Sequence, residues 1–199
     1  MEIISAATLL FLVLDPLGNI PIFLSVLEGV KPERRKMVMI REVLLALVVL
    51  VLFLFLGKYI LQFLSLSQHA LSISGGVILF MISIKMVFPV KRAGAYPDEV
   101  DGEPFLVPLA IPMIAGPSAL AVVILLATSQ PDKLMNWLLA LLAAWFLSSA
   151  ILLSSTHLQK LLGKRGLIAM ERLMGMLLVA LAIQMLLDGI AAYLKDIPA

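Results

Sequence analysis

Six stretches of this sequence are long and apolar enough to cross a lipid bilayer, and that leaves few folds open. They run over residues 3–27, 41–61, 70–88, 104–128, 134–158 and 167–193. A span needs about 20 mostly apolar residues, because the hydrocarbon layer is about 30 Å thick. With no water at that depth, each segment must satisfy its own backbone, which a helix does. The expected fold is therefore all-α and integral to the membrane, with the lipid bilayer as its first partner. Composition agrees: 62% of the 199 residues are hydrophobic and 14% are charged. A soluble domain carries about 45–50% apolar and about 25% charged residues. The connections are short, so a single membrane domain is expected. Glu2 is the first charge and no small-x-small site follows, so segment 1 is read as a retained span, not a cleaved signal.

Other chemistries are narrowed by what the chain contains. There is no cysteine, which excludes disulfides, thiolate nucleophiles and Cys-bound metals. His69 and His157 show no metal-ligand spacing, and no metal or other cofactor is expected. The net charge of +2 argues neither way about nucleic acid, and none is expected as a partner.

Charge placement sets the orientation. Lys31, Arg34, Arg35, Lys36 and Arg41 follow segment 1, Lys91 and Arg92 follow segment 3, and Lys160, Lys164, Arg165 and Arg172 follow segment 5. The opposite side holds Lys58, Lys133 and Lys195. Cytoplasmic loops carry the excess of Lys and Arg. The rich loops are thus cytoplasmic, including the linker 89–103, and both termini lie outside the cytoplasm.

Two segments carry a break in their middle. Segment 1 contains DPLGNIP at 15–21 and segment 4 contains IPMIAGP at 111–117. Proline removes a backbone donor and crowds the preceding turn. Pro16 and Pro21 in the first case, and Pro112 and Pro117 in the second, should each divide a span into two half-helices. Asp15 before Pro16 is an N-cap followed by proline at the first helical position, and Gly116 before Pro117 repeats that grammar. Ser118 adds a hydroxyl.

The breaks belong to a repeat. Pro16 and Pro117 are 101 residues apart, and the run from Gly76 to Met86 resembles the run from Gly175 to Met185 at an offset of 99. Three segments per copy force the copies into opposite orientations. The expected architecture is two inverted three-helix repeats, 1–88 and 104–199, with broken segments 1 and 4. Paired interrupted segments in corresponding positions point to a transporter's binding site.

Asp15 lies near mid-span, where an ionisable group is costly and by default functional. It reads as a site for a proton, a cation or a substrate ammonium, against a purely structural cap. Asn19, one turn on, is its expected polar partner. Gly116, Pro117 and Ser118 offer a helix start, which favours a carboxylate. Gly18 completes the candidate set, more for geometry than contact. The acids read as lying inside spans are Asp15 and Asp188, and Lys85 and Asp188 sit near helix ends, where they can snorkel to water. Ser148 and Ser155 read as small packing residues, and Trp145 is too deep for an interfacial aromatic.

The stretches DPLGNIPIF at 15–23 and PLAIPMIAGPSAL at 108–120 resemble the two signature stretches of the MarC family of bacterial inner-membrane proteins, and the similarity covers essentially the whole chain. That family usually carries Gly after AGP, where this chain has Ser118. The resemblance implies a six-segment neutral amino acid transporter class in the bacterial inner membrane, which puts both termini in the periplasm.

The expected function is a secondary transporter of a small polar solute, with proton or sodium coupling. A zwitterion would place its carboxylate at 116–118 and its ammonium at Asp15 or Asn19. The alternative is a non-transporting assembly or regulatory subunit. A homo-oligomer is left open by Ser72, Gly75 and Gly76, which suit internal packing or a subunit contact equally. An enzyme is not expected, since there is no HExxH or GxSxG run, and without a phosphate-binding GxxxxGK[ST] run ATP is not expected to power transport from within this chain.

Overall fold

The computed structural model describes residues 2–28, 30–88 and 114–196. Every regular element among them is helical: α1 Ile3–Leu14, α2 Pro16–Glu28, α3 Pro32–Phe63, α4 Gln68–Val87, α5 Pro117–Ser129, α6 Leu134–Leu153 and α7 Ser155–Lys195. A short 3-10 turn, Pro131–Lys133, joins α5 to α6. Among the described residues, five helical stretches are long and apolar enough to cross a bilayer, whereas Pro117–Ser129 alone is too short. Pro112, the linker 89–103 and the first half of the fourth window lie outside the described residues.

The first break falls at one residue. Asp15 adopts the left-handed conformation (φ 42, ψ 60) and ends α1. Pro16 then opens α2, where its missing N–H costs nothing. The structure departs from the sequence expectation at Pro21, which lies inside α2 without ending it. Pro21 leaves the Leu17 carbonyl without its helical donor, and α2 continues past that gap because the chain has already turned at Asp15. Two other boundaries also move. α3 starts at Pro32, so Arg34, Arg35 and Lys36 ride on a helix of 32 residues, about 48 Å long and longer than the hydrocarbon layer. α6 stops at Leu153, and the expected loop after segment 5 is the first part of α7, kinked at Gly163 (φ 65).

The α3–α4 turn closes with two bonds over Ser65 (φ 53), Ser65 N–H to the Gln62 carbonyl and Leu66 N–H to the Leu61 carbonyl. That is the Schellman pattern, here with serine where glycine is usual. Ser67 then caps α4, accepting from Ala70 N–H at 3.1 Å.

Packing is organised around α4 and α7, which run antiparallel. A Cβ on Gly76 would come within 3.0 Å of the Ala182 carbonyl oxygen and of Leu186, and one on Gly175 within 3.1 Å of the Ser83 carbonyl oxygen and 3.0 Å of Val87. At the far end Gly189 faces Ser72 and Ile73. Ser72 Oγ donates to the Met185 carbonyl at 2.9 Å. Small residues let helices approach closely where lipid offers no hydrophobic drive. Around this pair α2 packs on α6 and α7, α5 packs on α3 and α4, and α1 lies along α6. Trp145 is explained by a bond, not by an interface: its Nε1–H donates to the Val43 carbonyl at 2.9 Å and ties α6 to α3.

Candidate functional site

Asp15 caps in both directions. Its own N–H bonds to the Phe11 and Leu12 carbonyls and closes α1. Its Oδ1 accepts Gly18 N–H at 3.1 Å, and its carbonyl accepts Asn19 N–H at 3.1 Å, which starts α2. The side chain is buried with 6% of the residue exposed. Asn19, expected as the polar partner of Asp15, bonds to the backbone of α1. Its Nδ2 donates to the Leu14 carbonyl at 3.0 Å, satisfying the last acceptor of α1. Gly18 sits close under two side chains: a Cβ there would meet Asp15 Oδ2 and Met86 Cε, and both would have to shift.

The second helix start is built differently. Gly116 is extended (φ −73, ψ 163), offers no side-chain cap, and precedes Pro117 at the first helical position. The first intrahelical bond is Leu120 N–H to the Gly116 carbonyl. Ser118 N–H and Ala119 N–H therefore lie outside the helical ladder, and neither finds an acceptor among the described residues. Ile114, Ala115 and Ser118 are buried, so this start sits inside the protein, although Pro117 is exposed. The Ser118 hydroxyl donates to none of the described residues.

The two starts approach each other in depth. α4 measures the separation: its Met86 touches Gly18, and its Gly75 faces Ala121. Those α4 positions are eleven residues apart, roughly 16 Å along a helix. α2 and α5 run away from each other, so Asp15 and Gly116 are closer in depth than that. No hydrogen bond joins the Asp15 carboxylate to Gly116, Pro117 or Ser118 among the described residues. Pro16 and Pro21 flank the first start, and Pro112 lies outside the described residues.

Two acids were missed from sequence. Glu42 and Glu171 fall inside windows 41–61 and 167–193, and each sits beside an arginine at a window's edge, which disguised it as loop. Glu171 lies one turn before Gly175 on α7, within Coulombic reach of Asp15. Glu42 has a fully buried side chain. The signal that could have found both is the rarity of ionisable residues within spans. Asp188 is exposed and accepts from Gln184 Nε2 at 2.8 Å. His69 meets Asp196 at 2.6 Å, placing the start of α4 and the end of α7 on one side. Ser148 and Ser155 are buried with hydroxyls that lack partners among the described residues.

A chain whose described residues form helices alone, five of them able to cross a bilayer, with a buried aspartate at a break inside the first, is an integral membrane protein. It belongs to the MarC family of integral membrane proteins, whose family model matches residues 1–194. The UPF0056 inner membrane protein YhgN of Escherichia coli is 52% identical over 194 residues, covering 98% of each chain. A UPF0056 membrane protein of Buchnera aphidicola from Acyrthosiphon pisum is 49% identical over 197 residues, 98% of this chain and 99% of its own. One from Methanocaldococcus jannaschii is 32% identical over 195 residues, 94% of this chain and 95% of its own. No solved structure matches the chain.

Proposed function

We propose that this chain is a secondary transporter of a small zwitterionic solute, a neutral amino acid, working by alternating access in the bacterial inner membrane. The observation that carries this reading is the unlike chemistry of the two buried helix starts. The start at Asp15 satisfies its own Gly18 N–H with a carboxylate and is acidic. Among the described residues, the start at Gly116 leaves the N–H groups of Ser118 and Ala119 without acceptors and has no acidic residue in its first turn. A helix N-terminus with free N–H groups attracts a carboxylate, and a carboxylate attracts an ammonium. Together they fit the two ends of an amino acid.

The transport geometry in this proposal is six spans in two inverted repeats. Reciprocal packing supports it. Gly76 meets Ala182 and Leu186, whereas Gly175 meets Ser83 and Val87. Gly76 and Gly175, Ser83 and Ala182, and Val87 and Leu186 are each 99 positions apart, so one contact is the image of the other. In the same way α2 packs on α6 and α7 while α5 packs on α3 and α4. Each half-helix start thus rests on the other copy, and rocking one copy against the other would open and close the site. The burial of Asp15, Ala115 and Ser118 corresponds to a closed state.

Proteoliposomes holding the purified chain and offered radiolabelled neutral amino acids test the reading. Saturable uptake that responds to an imposed proton or sodium gradient is expected. Uptake equal to that of empty liposomes across the amino acid panel would favour a non-transporting assembly or regulatory subunit.

A further inference from the structure

The last stretch able to cross the bilayer is Arg165–Lys195, so residues 155–162 of α7 lie outside it. Two glycines make a corner between the two parts. Gly163 has φ 65 and ψ 174, a backbone that side chains other than glycine's rarely adopt. A Cβ on Gly166 would stand 3.0 Å from Leu162 Cβ, whereas positions four apart on a straight helix keep their Cβ atoms about 5–6 Å apart. The chain therefore turns sharply between Leu162 and Gly166. α6 enters at one end of 155–162 and the span of α7 leaves at the other, both on the same side of the bilayer. Ser155 is fully buried, and Leu158 and Leu162 pack on the core. These three share one helix face. The piece, about 12 Å long, thus rests on the bundle by its side and lies along the membrane surface.

Its other faces are unlike. Lys160, opposite the buried face, is exposed, and so are His157 and Arg165, the latter just beyond the corner. Leu161, about 100° round from Lys160, is 82% exposed. With Lys164 the stretch carries three Lys and Arg residues, and no acid occurs between Asp132 and Glu171. Neither Lys160 nor Arg165 forms an ion pair among the described residues. Water suits Lys160 and not Leu161, and hydrocarbon the reverse. The boundary between headgroups and acyl chains suits both, and an anionic headgroup brings the counter-charge that this stretch of sequence lacks.

We propose that residues 155–162 form an interfacial helix that binds an anionic phospholipid. Leu161 enters the edge of the acyl layer, and Lys160 and Arg165, one on each side of the corner, attract the phosphate headgroup. This binding does not depend on the transport reading.

The chain has no cysteine, so Leu161→Cys puts a single bimane label on the purified full chain, in vesicles of phosphatidylcholine and phosphatidylglycerol. Bromine on acyl chains quenches a label that touches them. The label at position 161 should be quenched, and at equal mole fractions more by brominated phosphatidylglycerol than by brominated phosphatidylcholine. A basic residue near an anionic surface is worth up to about five-fold in binding. Adding Lys160→Gln or Arg165→Gln should lower the preference by up to about that factor. Salt should screen the preference with no further substitution, so the result does not hang on one variant. A label that neither lipid quenches would overturn the proposal and leave this face to a soluble protein. Equal quenching by the two lipids would overturn it as well, as would a preference that survives both salt and the two substitutions.

Discussion

Substitution at Asp15 separates three jobs that one residue performs: a left-handed turn, a helix cap and a charge. Asparagine tolerates the left-handed conformation and keeps an oxygen for Gly18 N–H, so Asp15→Asn should change stability little. Glycine loses the cap oxygen, which costs a few tenths of a kcal/mol at an N-cap, and relieves the strain at φ 42. Asp15→Gly should therefore also be close to neutral. Leucine fails at both. The left-handed backbone costs about 1–2 kcal/mol for such a residue, and the lost cap adds about 1 kcal/mol. Asp15→Leu should be less stable by about 2–3 kcal/mol. Stability is read from thermal unfolding in detergent and from abundance in the membrane, and function from uptake into proteoliposomes. If the carboxylate binds the solute's ammonium or a coupling cation, Asp15→Asn and Asp15→Gly are both well folded and inactive. Parental uptake by Asp15→Asn at normal abundance would refute that role and leave the backbone groups as the site. A destabilised Asp15→Gly would refute the account of the turn.

Three further outcomes are expected. Gly76→Ala and Gly175→Ala should each destabilise the protein by about 1–3 kcal/mol, because the added Cβ meets a backbone carbonyl that cannot swing aside; equal thermal shifts support the reciprocal contact, and a large difference between them counts against it. Ser65→Gly should raise stability by about 1 kcal/mol in detergent melts by removing a positive-φ side chain from the α3–α4 turn, and a loss of stability would show that the hydroxyl matters more than the backbone. A reporter fused after Ala199 and active only in the periplasm should be active, as the distribution of Lys and Arg requires, whereas activity of a cytoplasm-only reporter would reverse the orientation.

Much of the helical layout was legible in the sequence because bilayer thickness imposes a length and a polarity on every span. The run from Gln68 to Val87 was readable to within two residues from hydropathy alone. The cap at Asp15 followed by Pro16 was readable too, since capping depends on neighbours a few positions away. The ends of α3 and α7 were not. Charged residues such as Arg34 and Lys160 look like loop by composition, and helix propensity carries the backbone through them once it has left the lipid. Pro21 showed that a proline ends a helix only where the surrounding turn permits it. The contact of Met86 with Gly18, the bond from Trp145 to the Val43 carbonyl and the bond from Ser72 to the Met185 carbonyl were all decided by tertiary structure. Each depends on which atoms from distant positions meet, and hydropathy and local spacing record only that a residue is inside the membrane, not what it faces there.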